Sequence, residues 1–198
     1  MFAYCGNNPI NYADSEGIFW WPAIIPLLVI PFLLTGCGDQ NEESEYPGKA
    51  NCYAYALGLK TDPRTGEPFK KKPDPGVFSG NPLKENHMYY EPDYLKQIME
   101  HKIKADAEVL GYNFYEITNI YDFKPTEGNW YIAIAYCADP SLTDYHFWRQ
   151  NEDGTWSHKP GTTPVMNVDF SGNVIYDPIS CDRGKYEIFL GYYEIGPN

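Results

Sequence analysis

Basic residues are scarce in this chain. Fifteen Lys and Arg stand against 27 Asp and Glu, which leaves a net charge of −12 and a pI near 4.6. So acidic a chain lacks the cationic face that phosphate backbones demand, and nucleic acid is not an expected partner. Paired cysteines are missing too. Cys5, Cys37, Cys52, Cys137 and Cys181 are odd in number, scattered, and form no C-x-x-C pair. That pattern argues against a disulfide framework and a thiolate zinc site. No metal ligand set and no cofactor are expected. Thiols used this way suit a reducing compartment, or delivery into one. No internal repeat is visible.

What the chain has is aromatic bulk. At 43% hydrophobic and 17% aromatic it can build a sizeable core. Seventeen Pro and seventeen Gly imply many turns, which suits short strands better than a helical bundle. One long apolar run occurs, Ile18 to Leu34, and its seventeen residues are the lower limit for spanning a bilayer. Pro22, Pro26 and Pro31 interrupt it, so a straight spanning helix is not expected. Kinked membrane contact is one use for it and burial another. The acidic stretch Asp39–Glu45 reads as a linker, and residues 46–198 as a separate domain that does not need the apolar run.

Cys52 is the candidate around which that domain is organised. Asn51 is a good N-cap, Ala54, Ala56 and Leu57 form helix well, and Gly58 ends the pattern. Cys52 therefore falls in a first helical turn, where free backbone N–H groups favour a thiolate. The competing reading is a small buried residue. A Pro- and Gly-rich loop follows from Thr61 to Pro82, carrying Lys70, Lys71 and Lys72. It reads either as a solvated loop or as the rim of a substrate groove. Asp93 to Leu110 has helical spacing at Tyr94, Leu95, Ile98 and Met99, with Gly111 as the stop. His101 rides on that helix, and His87 sits in a loop with no partner to assign.

Strands follow: Tyr112–Phe123, the apolar Trp130–Cys137 as a central strand, Tyr145–Gln150, Thr155–Lys159, Val174–Tyr176 and Tyr186–Ile195. Helices first and strands after predict an α+β fold with a largely antiparallel sheet. Asp153-Gly154 marks a hairpin. With the loop centred on Glu152, His146 faces His158 directly, and one imidazole can fix the tautomer of the other. The same two histidines could instead be structural. Asp177 is the alternative third member of a site. Asp169 is more simply a turn residue.

Three resemblances bear on these residues. Tyr4-Cys5-Gly6-Asn7-Asn8-Pro9-Ile10-Asn11-Tyr12-Ala13-Asp14-Ser15-Glu16-Gly17 resembles the end of the RHS repeat-associated core, which in that family precedes a variable toxin cassette. Leu33-Leu34-Thr35-Gly36-Cys37 resembles a lipoprotein cleavage box, though no cationic residue precedes it, so anchoring at Cys37 is the lesser expectation. Asn51-Cys52-Tyr53-Ala54-Tyr55-Ala56-Leu57, then Tyr145-His146-Phe147-Trp148, then Trp156-Ser157-His158-Lys159-Pro160-Gly161 resemble the Cys–His–polar order of papain-like and NlpC-like cysteine hydrolases. NlpC enzymes usually carry an acidic residue and a Ser beside the Cys. Here Asn51 and Tyr53 flank it, which bears on the substrate more than on the chemistry.

The resemblance implies a secreted or delivered effector with a peptide, peptidoglycan or protein amide as substrate and an immunity protein as a possible partner. In it Cys52 is the nucleophile, His146 the base and His158 its orienter. The oxyanion donors are the Cys52 N–H and the Asn51 side chain, and Tyr53, Tyr55, Trp148 and Trp156 line the groove. The rival reading is a non-catalytic module that binds glycan or protein through exposed aromatics, with Tyr53, Tyr55, Phe147, Trp148 and Trp156 as its face.

Overall fold

A computed structural model describes residues 45–84, 91–121, 124–139 and 144–198, all within the compact unit Glu42–Asn198. The RHS-like stretch, the apolar run, Cys5, Cys37 and His87 lie outside the described residues. The fold is α+β. Two helices, α1 (Cys52–Ala56) and α2 (Pro92–Leu110), precede five strands: β1 (Tyr112–Ile117), β2 (Trp130–Tyr136), β3 (Tyr145–Gln150), β4 (Trp156–His158) and β5 (Ile188–Pro197). The strands form one antiparallel sheet in the order β1-β5-β2-β3-β4.

The apolar strand β2 runs through the middle, as its composition predicts, and both of its faces are covered. Alternation along it separates two cores. Ile132, Ile134 and Tyr136 join Phe147, Tyr193 and Ile195 beneath the two helices. Tyr131, Ala133 and Ala135 join Trp148, Trp156, Ile175 and Tyr186 on the opposite face.

The helices begin and end as their sequence dictates. Asn51 Oδ1 accepts from Ala54 N–H at 3.2 Å, capping α1. From Ala50 to Gly58 the chain carries no charge, and every residue of α1 is buried. A helix apolar all round belongs inside. Pro92 opens α2, where a missing N–H costs nothing, and Gly111 closes it at φ 72° in the left-handed region. The loop after α1 is anchored on α2. The buried Asp106 carboxylate accepts from Gly76 N–H at 2.8 Å, Ser79 N–H at 2.7 Å and Tyr53 Oη–H at 2.9 Å.

Two strand expectations need correction. Val174–Tyr176 is not a strand. It makes only isolated bridges, Ile175 with Trp156 and Val174 with Val168, before Asp177 turns the chain by accepting from Ile179 N–H at 3.1 Å. The hairpin register also differs. His158 pairs with Trp148 and not with His146. The loop centres on Asp153, whose carboxylate accepts from Thr155 N–H at 2.9 Å and Thr155 Oγ1–H at 2.6 Å. A shift of two positions along β3 keeps the side chain on the same face, because strand faces alternate. His146 and His158 therefore still meet, on the diagonal.

Candidate functional site

Cys52 and His146 line one cleft of about 240 Å³, together with Asn51, Lys72, Asp74, Asp144, Tyr145 and Tyr186. It opens where β3 begins, beside the start of α1. Tyr145 and Phe147 of β3 face α1, and Phe147 packs on Tyr53 with ring centroids 5.2 Å apart. His146 and Trp148, the alternate residues, face the other core. Cys52 and His146 thus reach the cleft from either side of the first residues of β3. No hydrogen bond joins them here. The Cys52 sulfur instead lies 4.0 Å from Tyr145 O.

The histidines form a directed chain. His158 Nε2 lies 2.9 Å from Val168 O, and a carbonyl only accepts, so Nε2 holds the proton. In the neutral ring Nδ1 then carries the lone pair. It lies 2.7 Å from His146 Nε2, which must donate to it. His146 Nδ1 is left as the basic nitrogen, the tautomer required of a general base. Trp148 stacks on His158 at 6.0 Å and Tyr186 on His146 at 4.8 Å, fixing both rings.

Burial keeps the resting groups neutral. It pushes the Cys52 thiol up to about 12, against the pull of the Phe147 N–H, with Asp144 adding to the rise. The thiolate expected from helix position alone is therefore not the resting species. Burial, then His158 and Lys185, hold His146 well below an ordinary histidine, and burial lowers His158. Both histidines are neutral in the folded chain where the unfolded chain would begin to protonate, near pH 6.5. A base with a depressed folded pKa gives up stability as pH falls through its unfolded value. We expect urea stability to be flat above about pH 7. Between pH 6.5 and 5 it should fall by up to about 1.4 kcal/mol per pH unit for His146, with a smaller share from His158. His158→Gln should reduce that slope. A wild-type profile flat down to pH 5 would contradict the neutral pair.

Other expected site residues lie elsewhere. Tyr53 donates to Asp106, Tyr55 shares a 2.5 Å hydrogen bond with Ser157 Oγ, and Trp148 and Trp156 are wholly buried. All four belong to the cores and none lines the cleft, which removes both the expected groove and the expected aromatic binding face. Asp177 accepts from Tyr121 Oη–H and Tyr192 Oη–H, and no hydrogen bond joins it to either histidine. Asp169 accepts from Asn173, Ser171 and Asp182 N–H groups, as a turn residue does. The Asn51 side chain caps α1 and donates to Pro73 O at 3.0 Å, so it serves the scaffold before any oxyanion.

The loop Thr61–Pro82, for which a rim is one of two sequence readings, supplies Lys72 and Asp74 to the cleft, but the sequence does not foretell the individual roles of Asp74 and Asp144. Asp74 accepts from Tyr145 Oη–H at 2.7 Å, and Asp144 accepts from Tyr186 Oη–H at 2.9 Å and pairs with Lys185 at 2.8 Å. Asp74 stands in the Pro73–Gly80 loop, and only the fold-back of that loop onto Asp106 brings it to the cleft.

No protein-family model matches the chain, and no solved structure matches it. Among curated proteins, a 54-residue stretch is 50% identical to Insoluble matrix shell protein 1 of Ruditapes philippinarum. The match covers 27% of this chain and 36% of that protein, so the chain spans about a third of the length of that relative. The match is too partial to place the chain in a family.

Proposed function

We propose that residues 46–198 form a cysteine-dependent hydrolase or acyl-transfer domain of papain-like or NlpC-like kind, carried as the toxic tip of an RHS-type protein. The observation that carries this reading is the cleft shared by Cys52, at the N-terminus of α1, and His146, whose tautomer His158 and Val168 set. As the Cys52 sulfur attacks the carbonyl of an amide or ester, its proton passes to His146 Nδ1. An S–C bond forms, the bond from that carbon to the leaving group breaks, and His146 returns the proton to the leaving group. Water, deprotonated by His146, then cleaves the thioester and restores the thiol. The Cys52 N–H stands at the oxyanion. Substrates of this chemistry include peptide, peptidoglycan and protein amides. An immunity protein as partner, membrane contact through residues 18–34 and delivery as an effector belong to the same reading. The rival glycan-binding module loses support, because the aromatics assigned to it are core residues.

4-Nitrophenyl acetate tests the chemistry without knowledge of the natural substrate. We expect a burst near one equivalent of nitrophenolate and an acetyl group on Cys52 by peptide mapping. Acetylation confined to lysines or to the other cysteines would end this reading.

A further inference from the structure

The segment after the hairpin does more than supply His158. Its side chains alternate between the two layers. Trp156 and His158 enter the layer that holds His146. Ser157 and Lys159 point the other way, towards α1. Ser157 Oγ meets Tyr55 Oη at 2.5 Å, and Lys159 Nζ donates to Ala50 O at 2.8 Å and Gly161 O at 3.3 Å. Four consecutive residues thus tie the nucleophile's helix to the histidine strand.

Lys159 is the unusual member. The residue is 1% exposed, and both of its hydrogen-bond acceptors are backbone carbonyls. An ammonium is costly to bury without an anion beside it. Lys159 makes no ion pair with any described carboxylate. Its anchor, Ala50, lies two residues before Cys52. We propose that Lys159 is a positioning residue of the Cys52 site: its buried ammonium fixes the start of α1 and is the counter-charge for the Cys52 sulfur as that sulfur becomes anionic. The inference rests on Cys52 as the nucleophile.

The electrostatics are one-sided: the sulfur is felt at Lys159, whereas burial, the nearby N–H groups and Asp144 are the largest influences on the sulfur itself. Burial lowers the Lys159 pKa, a thiolate at Cys52 raises it, and Lys72 lowers it. On the sulfur, Asp144 opposes ionisation while the Phe147, Tyr53 and Cys52 N–H groups favour it. The geometry places the charge: Gly161, whose carbonyl takes the same ammonium, lines the cleft with Cys52, and Ala50 lies two residues before it. The carboxylates of the cleft wall already serve Tyr145, Tyr186 and Lys185.

Iodoacetamide alkylation of Cys52, followed by peptide mass spectrometry from pH 6 to 10, reads sulfur ionisation without any substrate. Removing an adjacent cation disfavours the thiolate. Lys159→Gln, which keeps donors for the two carbonyls, and Lys159→Met, which keeps only bulk, should each alkylate about tenfold more slowly at every pH. Lys159→Arg should stay near the wild-type rate. Wild-type rates in a folded Gln or Met variant would overturn the proposal.

Cys52→Asp gives a second measurement that does not depend on those variants folding. It plants a fixed anion in place of the sulfur, and the Lys159 titration followed by ¹⁵N NMR should move to higher pH. An unmoved titration would also overturn the proposal. If alkylation depends on Lys159 but 4-nitrophenyl acetate never acylates Cys52, the hydrolase reading fails and the charge coupling stands. If Cys52 is acylated but its alkylation is indifferent to Lys159, the charge coupling fails and the hydrolase reading stands.

Discussion

Cys52→Ala should abolish the acyl adduct, and His146→Ala should slow acylation by 4-nitrophenyl acetate by about 10²–10⁴-fold, the usual worth of a positioned base. The two effects do not add, because the residues act on one proton. The double variant should look like Cys52→Ala alone. His158→Ala should cost less than His146→Ala, since it leaves the base in place and loosens only its tautomer. Asp177→Ala should be silent in this assay, as its carboxylate serves Tyr121 and Tyr192. The resting geometry makes the histidine arm a stringent test. His146 makes no hydrogen bond to the sulfur and faces the other layer from the β3 residues that pack on α1, so proton transfer between them requires the two side chains to come together in the cleft they share. Stopped-flow nitrophenolate release on the five variants decides it. A His146→Ala variant that acylates at the wild-type rate removes that histidine from the chemistry.

Strong local patterns were legible in the sequence, and long-range partners were not. The α2 span, its Gly111 stop and the central position of β2 follow from periodicity and apolar content. The hairpin was visible through Asp153-Gly154. Its register turned on Asp153 capping Thr155, which shifts the loop centre by one residue. The aromatic groove was misread for a physical reason. Tyr and Trp carry a polar tip on an apolar body, so composition alone does not say which end decides their place. Tyr53 and Tyr55 found buried partners in Asp106 and Ser157, both distant in sequence. One local signal pointed the right way: from Ala50 to Gly58 there is no charge, which already marks a helix enclosed on all sides. The thiol follows the competing expectation of a small buried residue. Helix position favours the thiolate, but full burial outweighs it.

Asp106→Ala should cost about 3–5 kcal/mol of stability, the scale for leaving a buried polar network without its charged member. The carboxylate is wholly buried and receives three donors at 2.7–2.9 Å from Tyr53, Gly76 and Ser79. With alanine there, those donors stay buried with nothing to meet them, since the loop that carries two of them is packed too closely to turn away. Gly76, at φ 90°, shows how closely: a Cβ on it would lie 2.2 Å from Asn81 O. The effect reaches the candidate site through the same loop. Pro73 O holds the Asn51 side chain and Asp74 holds Tyr145, so releasing residues 73–80 removes one wall of the cleft and loosens the cap of α1. Asp106→Asn keeps the shape and an acceptor oxygen, but its amide nitrogen can only donate. It should therefore fall between alanine and the wild type. Urea unfolding of the three proteins, with 4-nitrophenyl acetate acylation measured well below each midpoint, separates the two consequences. A marginal change in midpoint for Asp106→Ala would mean that water replaces the carboxylate and that the loop does not depend on it. A large loss of stability with acylation intact would mean that the cleft wall holds without this anchor.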